Sequence, residues 1–362
     1  MNYNATRKKF FSEKYYLRRS AAEITRRASK VNFFSVRRFE SILNNEYPVN
    51  VDFEILEVLP REEIFTLPTH DRFVTRPFYF RPRFFLNINR ATWDMKTGMA
   101  FTSDGKIGIA ETSSRTVDFL KSTAVSRANS KHHIHGRYLM LPGNGYYHWL
   151  LEDLPNYLHA KSLFPKLETL VWSGAPNFVF DFLRGMEIPY HTTSRYVNID
   201  QVVILSHTES SGYTSQQDLD ILRESFRFIP ASSLNCEKIF VSRVGGKRSP
   251  SWESKLHAKL IKSNWKVVTF QSFNLFDQIA IAKKCRVLAG IHGAGLSNAF
   301  AMQRQGKIIE LSANNFRNCF LALSGAAGLE FDRIAYEQID EHKENSLLDE
   351  IVSIIDELNS FD

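Results

Sequence analysis

The sequence is poor in cysteine and has no long apolar run. Its three cysteines, Cys236, Cys285 and Cys319, stand far apart, so the chain has neither a CxxC pair nor the His/Cys spacing of a zinc site. No stretch reaches the roughly 18 apolar residues of a membrane-spanning helix, and the N-terminus lacks the apolar segment of a signal peptide. These absences predict a soluble protein of a reducing compartment, and the cytoplasm is the expected location.

Several common catalytic signatures are also missing. The sequence contains no Walker loop, no GxSxG elbow and no HExxH motif, which excludes the enzyme classes that depend on them. It shows no internal repeat and no low-complexity segment. At 362 residues, with 43% hydrophobic and 23% charged residues, the chain has the length and composition of two globular domains that share a cleft.

Positive charge is concentrated at the N-terminus. Residues 1–40 contain eleven Lys/Arg against three glutamates, whereas the remaining residues are net −1 in a chain of net charge +7. Aromatic residues lie between these arginines, a mixture typical of an amphipathic helix at anionic phospholipid headgroups. A solvated helical arm or an oligomer contact is the alternative. Nucleic acid is not an expected partner, because no recognised reader motif accompanies the charge.

Strand and helix patterns alternate from residue 137 onward, which predicts an α/β fold with parallel sheets built from crossover units. We expect a basic arm at 1–40, an N-terminal α/β domain at 41–209, a helical connector at 210–236 and a C-terminal Rossmann-like domain at 237–362. The C-terminal edges of both sheets would then face one cleft, the place where open α/β sheets bind ligands. Residues 50–110 can be assigned only to short strands and loops.

Three features of the C-terminal unit point to a nucleotide diphosphate. The strand VLAGI runs into HGAG at 292–295, where small residues and a helix N-terminus favour phosphate. Arg243 ends the strand KIFVSR and Arg248 follows across a glycine loop, so two guanidinium groups could hold phosphate oxygens. Glu310, at the end of GKIIEL, could accept the hydroxyl protons of a ribose. The alternatives are a turn shaped only for packing, solvated arginines, and an N-cap or surface ion pair.

In the N-terminal unit, the segment YHWLLEDLPNYL predicts a helix from about Tyr147. His148 and Glu152 stand four residues apart on its polar side, opposite an apolar face. Such a pair could abstract a proton, with the carboxylate orienting the ring or acting as the base itself. The alternative is a helix cap with an ordinary i,i+4 hydrogen bond.

Two near-motifs could hold a metal ion. The DLD sequence at 218–220 resembles the DxD of some glycosyltransferases but lies inside a helical pattern. The segment KHHIHG contains His132, His133 and His135, although histidines that alternate before a strand are more often loop and edge residues. We therefore expect no metal cofactor.

Together these motifs resemble the family 61 glycosyltransferases, which include bacterial capsule and lipopolysaccharide enzymes. The resemblance covers roughly residues 137–336 and rests on YYHWLLEDLP, IFVSR with a second arginine, VLAGIHGAGLSNAFAM, GKIIEL and ALSGAAGLEFDRI, in the family's order. One departure is Trp252 and Glu253, where the family often has Asn-Glu.

The resemblance implies a GT-B architecture of two Rossmann-like domains facing a cleft. It also implies inverting, metal-independent transfer from a nucleotide sugar, a UDP-sugar first, to a glycan or lipid-linked acceptor in cell-surface polysaccharide synthesis. The family's H-x-x-x-acid pattern on the acceptor side matches His148 and Glu152. Its donor-side positions match Arg243, Arg248, His292, Gly293, Ala294, Gly295, Asn298 and Glu310.

Two other classes remain open from the sequence. One is another nucleotide-sugar enzyme on a GT-B frame, such as an epimerase, which would need no separate acceptor. The other is a non-catalytic binding module that acts through the arm. For a transferase, the arm would place the enzyme peripherally at the inner membrane face, close to a lipid-linked acceptor.

Overall fold

The fold was examined in a computed structural model. It describes residues 32–34, 52–59, 64–65, 78–79, 83–102, 107–109, 112–113, 132–207, 212–233, 237–246, 249–313, 318–336 and 344–357. The basic arm lies outside the described residues except for one strand, and so does Arg248. The interpretation of the arm therefore stays a prediction. Among the described residues, no helix combines the length and the apolar character needed to cross a bilayer.

A nine-stranded mixed sheet forms the first half of the fold. Its strand order is β1-β7-β6-β5-β11-β8-β9-β10, with β2 paired to β5. These strands are β1 (Asn32–Phe34), β2 (Phe53–Leu59), β5 (Arg83–Asp94), β6 (Met99–Phe101), β7 (Ile107–Ile109), β8 (His133–Leu141), β9 (Glu168–Trp172), β10 (Tyr190–Thr193) and β11 (Tyr196–Leu205). A separate two-stranded sheet pairs β3 (Ile64–Phe65) with β4 (Phe78–Tyr79).

The predicted parallel crossover units account for only part of this sheet. Strands β8 to β11 pair with one another in parallel, as expected. Strand β5 then pairs antiparallel with β11, and β2 and β6 pair antiparallel with β5. The segment that the sequence assigned only to strands and loops therefore widens the sheet. Its long strand β5 is buried along most of its length.

The second sheet is entirely parallel. Its order is β13-β12-β14-β15-β16, formed by β12 (Lys238–Val241), β13 (Lys266–Val268), β14 (Val287–Ile291), β15 (Lys307–Ala313) and β16 (Glu330–Tyr336). The chain moves outward from β12 to β13 and returns to the other side of β12 at β14. The strand order therefore reverses between β12 and β14, and we call this place the switch point. Such a reversal opens a ligand crevice in doubly wound sheets.

Eight α-helices accompany the strands in the described part of the chain. They are α1 (Tyr146–His148), α2 (Leu154–Leu163), α3 (Asn177–Gly185), α4 (Gln216–Ser225), α5 (Glu253–Lys262), α6 (Leu275–Lys284), α7 (Cys319–Ala327) and α8 (Glu344–Glu357). Local sequence sets several of their ends. Ser215 and Asn274 accept a backbone N–H as N-caps of α4 and α6, and Gly328 ends α7 at φ 70°.

The helix after β8 is not the regular α-helix that the sequence predicts. A π-helical turn, Trp149–Asp153, separates α1 from α2, and the N–H of Leu154 donates to the carbonyl of Trp149 five residues back. Pro155 has no N–H to continue the i→i−4 pattern, which favours the wider turn. The predicted apolar face is nevertheless buried, as shown by Leu150, Leu151, Leu154, Tyr157 and Leu158.

One apolar core joins the helices of both halves. Phe182 on α3, Phe226 after α4 and Phe300 near the second sheet form a chain of ring contacts, with centroids 5.9 and 6.0 Å apart. Gly185 at the end of α3 lies so close to Phe276 that a Cβ there would be 2.1 Å from its ring. The α/β class is therefore confirmed, and this packing fixes the two sheets against each other.

Candidate active site at the switch point of the second sheet

Two adjacent strands deliver the predicted phosphate-binding groups to one sheet edge. Arg243 follows β12, and the loop 292–295 follows β14. The guanidinium Nη1 of Arg243 donates to the carbonyl oxygen of His292. The sequence separated these groups by about fifty residues, and the parallel register of β12 and β14 brings them together.

The glycines of this loop are required for close approach. A Cβ on Gly293 would lie 3.0 Å from the guanidinium carbon of Arg243, and a Cβ on Gly295 would lie 2.7 Å from Cγ1 of Val241. Gly293 has φ −178°, an extended conformation open to any residue. The loop therefore uses its small residues to let a cation and a backbone lie against each other, and a 3₁₀ helix, Ala294–Ala301, begins directly after Gly293.

Glu253 supports the loop that carries Arg243. Its carboxylate is fully buried and accepts the backbone N–H of Arg243 at 2.5 Å and the hydroxyl of Ser249 at 2.6 Å. Burial alone would raise the pKa of Glu253, but the nearby His257 ring, with Nε2 3.4 Å from Oε1, and the hydrogen bonds from the Arg243 N–H and Ser249 together lower it. The position where the sequence departs from the family's usual Asn-Glu therefore still carries a structural carboxylate beside the site.

Glu310 lies behind the loop. It is fully buried, accepts from His292 Nδ1 at 2.5 Å through Oε1, and accepts from Arg333 Nε at 2.8 Å through Oε2. Both carboxylate oxygens are engaged within the protein, and the predicted contact with a ribose stays a prediction. Glu310 thus orients the His292 ring, and Arg333, which the sequence analysis did not single out, balances its charge.

Asn298 is also a supporting residue. It is fully buried, and its amide Nδ2 donates to the carbonyl of Gly295 at 3.1 Å and to Gln278 at 3.2 Å. Its Oδ1 accepts the hydroxyl of Tyr146 at 2.7 Å. The residue predicted to belong to the donor loop therefore holds that loop from behind and ties it to the helix of the first half.

The predicted His148–Glu152 pair is formed. His148 Nδ1 lies 2.9 Å from Glu152 Oε2, with the histidine side chain 31% exposed and the glutamate 6%. The other oxygen, Oε1, accepts the backbone N–H of Gly212 at 2.8 Å. Sequence spacing indicated the first contact, whereas the second comes from a residue 60 positions away that no local pattern could reveal.

Aromatic side chains connect the two halves of the site. The ring of Tyr147 contacts His148 edge-on, with centroids 5.3 Å apart, and contacts Phe320 with centroids 5.7 Å apart. Phe320 in turn meets the ring of His292 at 5.3 Å. The His148–Glu152 pair and the loop 292–295 therefore lie around one group of apolar rings, which the sequence analysis did not single out.

The DLD sequence has a structural role in the fold. It lies on α4 as predicted, and Asp218 is buried, where it accepts from Arg83 at 2.7 Å and from the hydroxyl of Ser215 at 2.7 Å. An aspartate held by an arginine and by the residue that caps its own helix is a structural anchor between β5 and α4.

Comparison with known proteins assigns this region to a family. The family model for Glycosyltransferase 61 matches residues 146–309, a range that starts at the helix of the His148–Glu152 pair and ends beside Glu310. No curated protein sequence gives a significant match to the chain. The matched range contains the switch-point loops and the helix that faces them, so the chain is a glycosyltransferase with a family 61 domain over these residues.

Proposed function

We propose that this enzyme transfers a sugar from a UDP-sugar to a hydroxyl of a glycan or lipid-linked acceptor, with inversion and without a metal ion. The observation that carries the proposal is the position of Arg243 and the loop 292–295 on either side of the switch point, with the His148–Glu152 pair nearby. Cations and backbone N–H groups at such a crevice suit a nucleoside diphosphate. A GT-B arrangement, with the acceptor held by the first half, fits this division of roles.

The geometry favours His148 as the base and Glu152 as its positioning residue. Both oxygens of Glu152 already accept hydrogen bonds, one from the ring and one from Gly212. A carboxylate that accepts from Nδ1 fixes the tautomer in which Nε2 takes the proton. The ionised carboxylate then stabilises the imidazolium as it forms, as in other His–carboxylate pairs.

The transfer itself is one displacement. The acceptor oxygen attacks the anomeric carbon while its proton moves to Nε2 of His148. The bond between the anomeric carbon and the phosphate oxygen breaks, and the electron pair leaves with the nucleoside diphosphate. Arg243 offers several N–H donors from a group that never loses its charge, so it can stabilise the diphosphate as well as support the loop. A single displacement inverts the anomeric centre.

The cellular role follows from the acceptor class. With a lipid-linked or glycan acceptor, the reaction would belong to cell-surface polysaccharide synthesis at the cytoplasmic face of the membrane. The basic residues of 1–40 would hold the enzyme at anionic headgroups, where each near-surface cation adds about 1 kcal/mol. This part of the proposal rests on sequence, because the arm lies outside the described residues.

Isothermal calorimetry against UDP, GDP, CMP and ADP, with magnesium and with EDTA, tests the donor site. We expect one nucleotide to bind equally well in both conditions, and Arg243→Ala to weaken that binding about 10- to 100-fold, the loss of a charged hydrogen bond. Arg304→Ala, an exposed cation, is the matched control. The proposal fails if no nucleotide binds or if both variants bind alike. Nucleotide-sugar conversion without any acceptor would instead indicate an epimerase-like enzyme.

A further inference from the structure

A group of metal-ligand side chains lies at the start of β8, remote from the site described above. His133 Nε2 is 2.6 Å from Asp200 Oδ1, and His135 Nδ1 is 3.2 Å from Asp200 Oδ2. Among the described residues, this is the only group of three histidine, cysteine or acidic side chains whose ligand atoms all lie within 4.8 Å of one another. The sequence analysis noticed the two histidines, and the fold supplies the aspartate.

The backbone builds this group from two neighbouring parallel strands. Residues two apart on a strand point to the same side, which places the rings of His133 and His135 together, with centroids 4.5 Å apart and planes 27° apart. Asp200 lies on β11 where the pairing with β8 shifts register between Ile199 and Gln201. Such a bulge redirects a side chain, and here it directs the carboxylate at both rings.

The following glycine completes the arrangement. Gly136 has φ 118°, which side chains rarely tolerate, and its N–H donates to Asp200 Oδ2 at 3.2 Å. The carboxylate is thereby held in place by the backbone rather than by the histidines alone. Two rings around one fixed carboxylate offer two nitrogen ligands and one oxygen ligand on the same side of the sheet.

We propose that His133, His135 and Asp200 form a binding site for Zn²⁺. Two imidazoles with one carboxylate are a ligand set that zinc accepts, with water in the fourth position, whereas Mg²⁺ and Ca²⁺ prefer oxygen ligands. The three side chains are 44%, 85% and 38% exposed, so the ion can enter directly from solvent. The ligand atoms are close enough for small ring rotations to reach Zn–N and Zn–O distances of about 2.0–2.2 Å.

The site is separate from glycosyl transfer. The histidines lie at the N-terminal end of β8, whereas His148 follows its C-terminal end. The first and last of the nine strand residues are eight steps of about 3.3 Å apart, roughly 26 Å. A zinc ion here would join β8 to β11 near the N-terminal end of β8 and stabilise the fold, without contact to donor or acceptor.

Calorimetric titration of the tag-free full chain with ZnCl₂, after treatment with EDTA and its removal, tests the site. We expect binding of one Zn²⁺ and a raised melting temperature. The double variant H133A/H135A and the single variant D200N should each weaken zinc binding at least tenfold. His132→Ala, next to the site, and His191→Ala, an exposed histidine paired with Glu168, are controls that should bind as the parent does. Nucleotide binding should be unchanged in all variants.

A second measurement needs no variant. Zinc should protect His133 and His135 from carbethoxylation, read by mass spectrometry, and leave His191 reactive. Co²⁺ in place of Zn²⁺ should give the visible absorption of a cobalt–imidazole complex. Equal zinc binding by the parent and H133A/H135A, or no protection of these two rings, would overturn the proposal.

Discussion

The hydroxyl of Tyr146 donates a 2.7 Å hydrogen bond to Oδ1 of Asn298, a residue 152 positions later in the chain. Burial raises the pKa of Tyr146 well above its usual range, so the hydroxyl stays protonated and remains a donor. Because Asn298 also donates to the carbonyl of Gly295, this one bond connects the helix of the His148–Glu152 pair to the loop 292–295. This hydrogen bond explains how the helix that begins at Tyr146 and the loop 292–295, far apart in sequence, are held in a fixed relative position.

Removal of that link should cost stability. Tyr146→Phe leaves the buried Asn298 oxygen without its donor, and we expect the free energy of unfolding in urea to fall by about 1–3 kcal/mol. Tyr190→Phe is the matched control, because the Tyr190 hydroxyl makes no hydrogen bond within the described part of the chain. Equal stability of the two variants would show that the Tyr146–Asn298 bond contributes nothing.

Glu152→Gln should inactivate the enzyme while the donor still binds. A glutamine has one oxygen, but both the His148 ring N–H and the Gly212 N–H need an acceptor at this position. The amide N–H₂ would therefore face one of these donors or force the other ring tautomer. We expect turnover to fall by roughly 10²–10⁴-fold, with nucleotide affinity in calorimetry close to that of the parent.

The control for this substitution is Glu168→Gln. Glu168 also pairs with a histidine, His191 at 3.1 Å, but both side chains are 58% exposed. Turnover of this variant should match the parent. If Glu152→Gln is as active as Glu168→Gln, then the His148–Glu152 pair is not the proton-accepting group.

Arg333→Met should destabilise the second sheet strongly. The ion pair of Arg333 with Glu310 is 2.8 Å long, and both side chains are almost completely buried. Loss of one partner of a buried ion pair typically lowers the free energy of unfolding by about 3–5 kcal/mol. The double variant Arg333→Met/Glu310→Gln removes the unpaired charge and should recover part of this loss. Arg184→Met breaks an exposed ion pair with Asp181 and should cost less than about 1 kcal/mol in the same urea experiment.

Glu253→Gln should change how stability depends on pH. Burial opposes ionisation of Glu253, but hydrogen bonds outweigh it, so the pKa is lower in the folded protein than in the unfolded chain. The ionised group therefore stabilises the fold at neutral pH, and this contribution is lost as the pH falls through the folded pKa, below the ordinary glutamate value of about 4.3.

The parent should thus be more stable than Glu253→Gln at pH 7, and the difference should narrow in acid. Urea unfolding of both proteins at pH 7, at pH 5 and at lower pH measures this difference in the free energy of unfolding. Glu187→Gln, on an exposed glutamate, should show no such narrowing. A constant difference between the parent and Glu253→Gln across this range would contradict the lowered pKa of Glu253.

Much of the second half could be predicted from sequence. Strands β12, β14 and β15 are short apolar runs bounded by glycine or polar residues, and they fall where the pattern indicates them. The first half was harder, because β5 pairs with β11 far along the chain and its apolar run is interrupted by polar residues such as Arg90. No local pattern distinguishes an antiparallel extension of a sheet from a loop.

The π-helical turn is a second feature that the sequence pattern predicted only in part. A regular helix over YHWLLEDLPNYL predicts the apolar face correctly, and the His148–Glu152 contact survives the wider turn. The burial of Glu152 was not predicted, because it depends on Gly212, which reaches the carboxylate from another element.

The sequence by itself determined the α/β class, the glycine loop at 292–295 and the residues that could carry charge or protons, because these depend on short-range spacing and on side-chain chemistry. Only the tertiary structure decided which partners each residue contacts. The buried carboxylate of Glu310 accepts hydrogen bonds from His292 and Arg333, and Asp200 on β11 contacts His133 and His135 on the neighbouring strand β8. Partners so far apart in the chain are chosen by strand order and packing, which a local pattern does not encode.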